Sequence, residues 1–167
     1  RKKIDSVLEL WKEEEDIPVK VMVEQFRAEV IGALSHQQQV ARLPESVTQQ
    51  LQNRFETEVR DRVKLGYPVS SAYARAPQPH GLGLGDLELQ GAVDFLAGCG
   101  QLRFAPEELS DCVLKEIKQQ CRTYGLSEVL LVPQPGPWEG GEQMLLKDMM
   151  RSLEQVGAMM VLGKPKE

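Results

Sequence analysis

Apolar residues recur at helical spacing along almost the whole chain, and proline or glycine marks nearly every break between the stripes. That pattern constrains the fold more than any other feature, because a helix with one apolar stripe must bury it against another element. Ile4, Val7, Leu8 and Trp11 lie at i, i+3, i+4 and i+7, which predicts a first helix over about Ile4 to Asp16. Glu13, Glu14, Glu15 and Asp16 crowd its C-terminal end, where the helix dipole disfavours negative charge, and Pro18 breaks the pattern. Pro18 suits the first turn of a second helix. The stripe of that helix is Val19, Met22, Val23, Phe26 and Val30, continued by Ile31 and Leu34, with His36-Gln37-Gln38-Gln39 as a polar exit. Leu43-Pro44-Glu45 opens a third helix, in which Val47, Leu51, Phe55, Val59 and Val63 recur every four residues. Four residues overshoot one turn by about 40°, so this stripe winds round the helix. Gly66 is its expected stop.

The run from Tyr67 to Gly85 differs in kind. It contains Ala76-Pro77-Gln78-Pro79 and Gly81-Leu82-Gly83-Leu84-Gly85, a density of turn residues that predicts a linker or long loop. Asp86 can cap a fourth helix, with Leu89, Ala92, Val93, Leu96 and Cys99 as its face and Gly98 and Gly100 at its end. Leu102-Arg103-Phe104 alternates like a short strand. Pro106-Glu107-Glu108 opens a fifth helix that presents Leu109, Cys112, Val113, Ile117, Cys121 and Tyr124 inward and stops at Gly125. Val129-Leu130-Leu131-Val132 fits a strand or a helical turn equally. A last helix is expected over about Glu142 to Met160, with Leu145, Met149, Leu153, Val156 and Met160 facing in.

The predicted fold is therefore mainly α: about six amphipathic helices in one or two packed sub-bundles, with a candidate short two-stranded β element, winged-helix-like, in the C-terminal half. The expected organisation is a three-helix sub-bundle over 1–66, a Pro/Gly-rich linker or long loop over 67–85, and a helical subdomain over 86–163. A chain of 167 residues that is 41% hydrophobic can bury a sizeable core without metal or disulfide. Only 5% of it is aromatic, so that core is mostly aliphatic. The chain opens Arg1-Lys2-Lys3 with no apolar run behind it, which is not a signal peptide, and with no initiator Met it reads as a piece of a longer polypeptide or a processed chain. No stretch approaches the roughly 20 apolar residues of a membrane span. Cys99, Cys112 and Cys121 are odd in number and unpaired in spacing, which points to a reducing compartment, cytoplasm or nucleus.

Several chemistries fail on residue type. In the glycine run, Asp86 stands where the third glycine of a dinucleotide fingerprint belongs, and no strand precedes Gly81. No Gly-Lys-Ser/Thr exists for a P-loop. The three cysteines, His36 and His80 form no metal-ligand pair. A cysteine nucleophile at Cys99, Cys112 or Cys121 lacks a base on a rigid element, since His36 and His80 fall in polar or loose segments. No catalytic residue, cofactor or metal is assigned, and a non-enzymatic role is the expectation.

Two binding readings remain. The first is a protein-interaction (adaptor or scaffold) module of a larger intracellular protein, holding a partner's helix or segment, or another segment of its own parent chain, in an apolar groove between helices. Trp138, Met149, Met150 and Met159 are its expected contacts, because Trp is enriched at interface hot spots and Met adapts to varied partners. The second is a winged-helix-like nucleic-acid binder. It uses Leu102–Phe104 and Val129–Val132 as strands, Pro133–Gly141 as the wing, and Lys115, Lys118 and Arg122 on the fifth helix. Charge argues against the second. Residues 1–66 hold 11 basic and 12 acidic groups and residues 67–167 hold 9 and 13, so neither half is basic.

Overall fold

A computed structural model of the chain describes residues 2–63, 69–140 and 144–162. The described residues are mainly helical, with one short antiparallel two-stranded sheet in the C-terminal half. Gly66, Tyr67, Pro68, Gly141 and Glu142, at which helix or loop boundaries were expected, lie outside the described residues. The chain divides into two compact units: Arg1–Gln37 with Leu43–Gln90, and Gln38–Arg42 with Gly91–Glu167.

The first unit is built from α1 (Lys2–Glu13), α2 (Val19–Gln25), a π-helical segment (Phe26–Ile31), most of α3 (Gly32–Gln38), α4 (Glu45–Arg62), α5 (Ser71–Arg75) and the first turn of α6 (Leu87–Gln101). α1 ends at Glu13, the first residue of its acidic cluster, rather than at Asp16, as the dipole argument favours. The helix beginning at Val19 runs on to Gln38, within the expected polar exit. Its buried residues Met22, Phe26, Val30 and Leu34 repeat every four positions, and the wider π-helical turn keeps them in line where an α-helix would rotate them away. Trp11 forms the centre of this core: its ring meets Phe55 edge-on at 5.1 Å, and its indole N–H donates to Gln25 Oε1 at 2.7 Å. Phe26 packs on the same Phe55 at 5.1 Å.

α4 corrects the four-residue stripe. Its buried side chains are Thr48, Gln52, Phe55, Glu56 and Val59, while Val47 is exposed. The true period is helical, and its first half is polar. The proline- and glycine-rich run, where described, is packed structure within the first unit. Ser70 caps α5 by accepting from Tyr73 N–H at 3.1 Å, and Leu82 N–H and Leu84 N–H donate back to the carbonyls of Tyr73 and Ala74, each at 3.0 Å. Gly81 is required there, since a Cβ would stand 2.5 Å from the Tyr73 and Ala76 carbonyl oxygens. Val69, Ala74, Leu84 and Leu87 are buried.

The second unit holds the rest of α6, a 3₁₀ turn (Leu102–Phe104), α7 (Glu107–Thr123), β1 (Leu130–Leu131), a second 3₁₀ turn (Pro137–Gly140), α8 (Leu145–Val156) and β2 (Met160–Val161). Three expectations are corrected here. The first concerns α6, which passes through Gly98 and Gly100, keeps Ala92 buried as expected, but turns Leu89 and Val93 outward and buries Phe95. The cause is a face of small residues: a Cβ on Gly98 would lie 2.1 Å from the Gln39 carbonyl oxygen, and one on Gly91 2.3 Å from Gln38 Oε1. That close approach seats residues 38–42, where the Arg42 guanidinium donates to Ser152 Oγ at 2.8 Å and Gln155 Oε1 at 3.2 Å. The second is Leu102–Phe104, a 3₁₀ turn and not a strand. The third is α8, which stops at Val156. Gly157 adopts a left-handed conformation (φ +67°), and Ala158 N–H bonds the Leu153 carbonyl, closing the helix by a Schellman motif. Met160 therefore lies in a strand. β2 pairs antiparallel with β1, Leu130 opposite Val161 and Leu131 opposite Met160.

Candidate functional site

Each residue expected to carry function has a definite place. Trp138, Met149 and Met150 are 3%, 3% and 4% exposed and belong to the core of the second unit with Phe95, Ile117, Leu131, Leu146 and Leu153. The Trp138 ring meets Tyr124 edge-on at 5.7 Å and covers Gly136, where a Cβ would stand 2.1 Å from the ring. Core side chains are not available as partner anchors, so of the four expected contacts only Met159, 63% exposed, stands on the surface.

The basic face of α7 is partly committed within the chain. Arg122 pairs with Glu128 at 2.7 Å, and Gln120 bonds Glu116 at 2.9 Å with its amide nitrogen. The Gln120 carbonyl accepts from Leu146 N–H at 2.8 Å, satisfying a backbone donor in the first turn of α8. Lys115 is exposed and Lys118 half-buried.

Cys99 and Cys121 do not meet the needs of a nucleophile. Cys121 is buried in the core, and burial, reinforced by Glu128, raises its pKa. Burial, reinforced by the Asp148 carboxylate, pushes the half-buried Cys99 thiol from its ordinary 9.0 up to about 11. A reactive thiol needs the opposite shift. Alkylation near neutral pH, followed by mass spectrometry, is expected to modify exposed Cys112 first and Cys99 and Cys121 only slowly; fast labelling at Cys99 would refute this. The folded chain holds the Cys99 proton more tightly than the unfolded chain, so this contribution to stability is present below pH 9 and is lost as pH rises through about 11.

A pocket of about 300 Å³ opens on the first unit beside Thr48, Gln52, Arg75, Asp86 and Glu88. Its groups are engaged with one another. Gln52 donates to Glu56 and to the Gly85 carbonyl, both at 2.9 Å, and accepts from Leu87 N–H at 2.9 Å. Thr48 Oγ1 donates to Glu88 at 2.5 Å, Asp86 caps α6 through Glu88 N–H at 2.9 Å, and Arg75 bridges Glu56 and Asp86. These bonds fix the start of α6 against α4, and the pocket reads as the open side of a structural lock. Among the described residues no group of three or more His, Cys, Asp or Glu is placed to hold a metal ion. No helix among them is long and apolar enough to cross a membrane.

Exposed apolar side chains are spread over both units, Phe104 and Val40 among them, and one group of them lies on the β1–β2 ribbon. Side chains alternate across a strand, so Leu131 points to the core while Leu130 points out. In this register Leu130 stands opposite Val161, and Val132 and Met159 flank the two strands just beyond the paired residues. The four are 39%, 68%, 41% and 63% exposed and form one outer face with no charged group among them. Sequence reasoning found Met159 but missed Leu130, Val132 and Val161. Their signal was present: Gly157 is a helix stop, and Met159-Met160-Val161-Leu162 after it is an uncharged run matching Val129–Val132.

Compared with family models, curated proteins and solved structures, the chain matches none.

Proposed function

We propose that this chain is a non-catalytic protein-interaction module of a larger intracellular protein, and that its contact surface is the outer face of the β1–β2 ribbon. The observation that carries this reading is the cross-strand quartet Leu130, Val132, Met159 and Val161, which leaves apolar side chains in water on the face turned away from the core. Contiguous exposed apolar surface on a folded unit is a feature of binding sites. The chemistry is burial of a partner's aliphatic side chains, and the net charge of −5 bears on encounter rate and partner choice.

Affinity capture from nuclease-treated cell extract tests the reading, with the Met159→Glu, Val161→Glu double variant run in parallel. Both changes lie on the outer face, so the folded core is expected to survive, which circular dichroism checks. The expected result is a stoichiometric partner that the natural sequence retains after nuclease treatment and the double variant loses. Retention by both proteins sinks the placement. Loss on nuclease treatment alone moves the contact to nucleic acid and to Lys115, Lys118 and Arg122 on α7.

A further inference from the structure

We infer that the free edge of β2 accepts a third strand: a short, extended, uncharged aliphatic segment of a partner that pairs with the backbone of Met159–Val161. This rests on the interaction reading above and specifies the partner's chemistry. Leu162 N–H donates to the Val129 carbonyl at 2.8 Å, which makes Leu130–Val161 the non-hydrogen-bonded pair of the ladder. The N–H and C=O of both residues therefore point away from the ribbon. On β1 that outward donor is already taken, because Leu130 N–H bonds Ser127 Oγ at 3.3 Å. Pro133 and the Arg122–Glu128 pair also flank β1, and proline and charge are what protect strand edges. On β2, Gly157 and Ala158 precede the strand and no hydrogen bond to the outward groups of Val161 is found among the described residues, while Lys164 and Pro165 follow it in sequence. The two open edges of the ribbon are thus unequal.

Area decides between a second copy and a segment. Four partly exposed side chains offer on the order of a few hundred Å², while a stable dimer buries about 800 Å² on each partner. A segment added to the sheet reaches the backbone as well as the quartet, and so gains affinity that a small patch alone does not supply.

The test titrates ¹⁵N-labelled protein with three capped peptides: one of alternating valine and threonine, the same peptide N-methylated on alternate amides, and an amphipathic leucine–lysine helix. The expected result is that the first shifts the resonances of Met159–Val161, slows exchange of the Val161 amide, and loses about tenfold or more in affinity on N-methylation. Val161→Pro removes one edge donor without touching a ladder bond, and is expected to weaken the same peptide while the other ribbon resonances stay in place. Equal affinity for the N-methylated peptide, or failure of the extended peptide at Met159–Val161, overturns the inference. Binding of the helix alone does so too, and leaves the interaction reading standing. Self-association on concentration that is lost in Val161→Glu replaces the segment by a second copy. The placement of the contact on the ribbon falls separately, if extract capture survives the double variant.

Discussion

Trp138→Ala is expected to destabilise the second unit by about 3–5 kcal/mol. The indole is 3% exposed, stands edge-on to Tyr124 and lies over Gly136 in the short turn Pro137–Gly140. Truncation removes a large apolar area from the core and leaves a cavity that one short 3₁₀ turn cannot collapse to fill. Urea denaturation followed by amide exchange in α8 measures the loss, since Met149, Met150 and Leu153 share the same cluster. Trp138→Phe is expected to cost much less. It keeps a ring against Tyr124, and the indole N–H that it removes has no hydrogen-bond partner among the described residues. A Trp138→Ala protein of unchanged stability that loses a partner would place the ring at an interface and contradict the core assignment.

The same residue shows where sequence reasoning stops. A tryptophan between Gly136 and Gly140 is equally readable as an anchor or a lid, because periodicity carries no information inside a loop. The helical class was legible because Pro18, Pro44, Asp86 and Pro106 mark helix starts by local chemistry, and each stands at the N-terminal boundary of an observed helix. Faces were less legible than spans. Leu89 and Val93 look like core residues by spacing and are exposed, because Gly91 and Gly98 let the chain at 38–42 approach α6 on its other side, and Leu109 at the start of α7 is exposed too. Leu102–Phe104 reads as a strand by alternation alone, but strand pairing is non-local, and the partner of β1 lies some thirty residues further on. Of the candidate site, only Met159 was found, since a run of methionines continued a helical pattern that Gly157 in fact ends. Buried polar residues were the largest omission. Thr48, Gln52 and Glu56 occupy a helical stripe that carries no hydrophobic signal.

That omission carries the second large effect. Arg75→Ala is expected to destabilise the first unit by about 3 kcal/mol, and by more than Glu56→Ala does. The two halves of this pair are unequal. Glu56 is 2% exposed, whereas the Arg75 side chain is 36% exposed and has a second carboxylate, Asp86, at 3.4 Å. Removing Glu56 leaves a cation that retains Asp86 and water. Removing Arg75 leaves a carboxylate in the interior with only the Gln52 amide, at 2.9 Å, among the bonds described here. The cost of breaking such a pair is mainly the cost of the charge left behind, and water entering where the guanidinium stood holds the loss to the low end of the usual range. The lock at the start of α6 should loosen with it, because Gln52 also accepts from Leu87 N–H. Adding Glu56→Gln to Arg75→Ala removes the stranded charge at nearly constant volume and is expected to recover part of the stability. Urea melts of the three variants, with amide exchange at Leu87 as the local reading, measure both effects. A double variant no more stable than Arg75→Ala would show that the guanidinium acts by packing and not by charge.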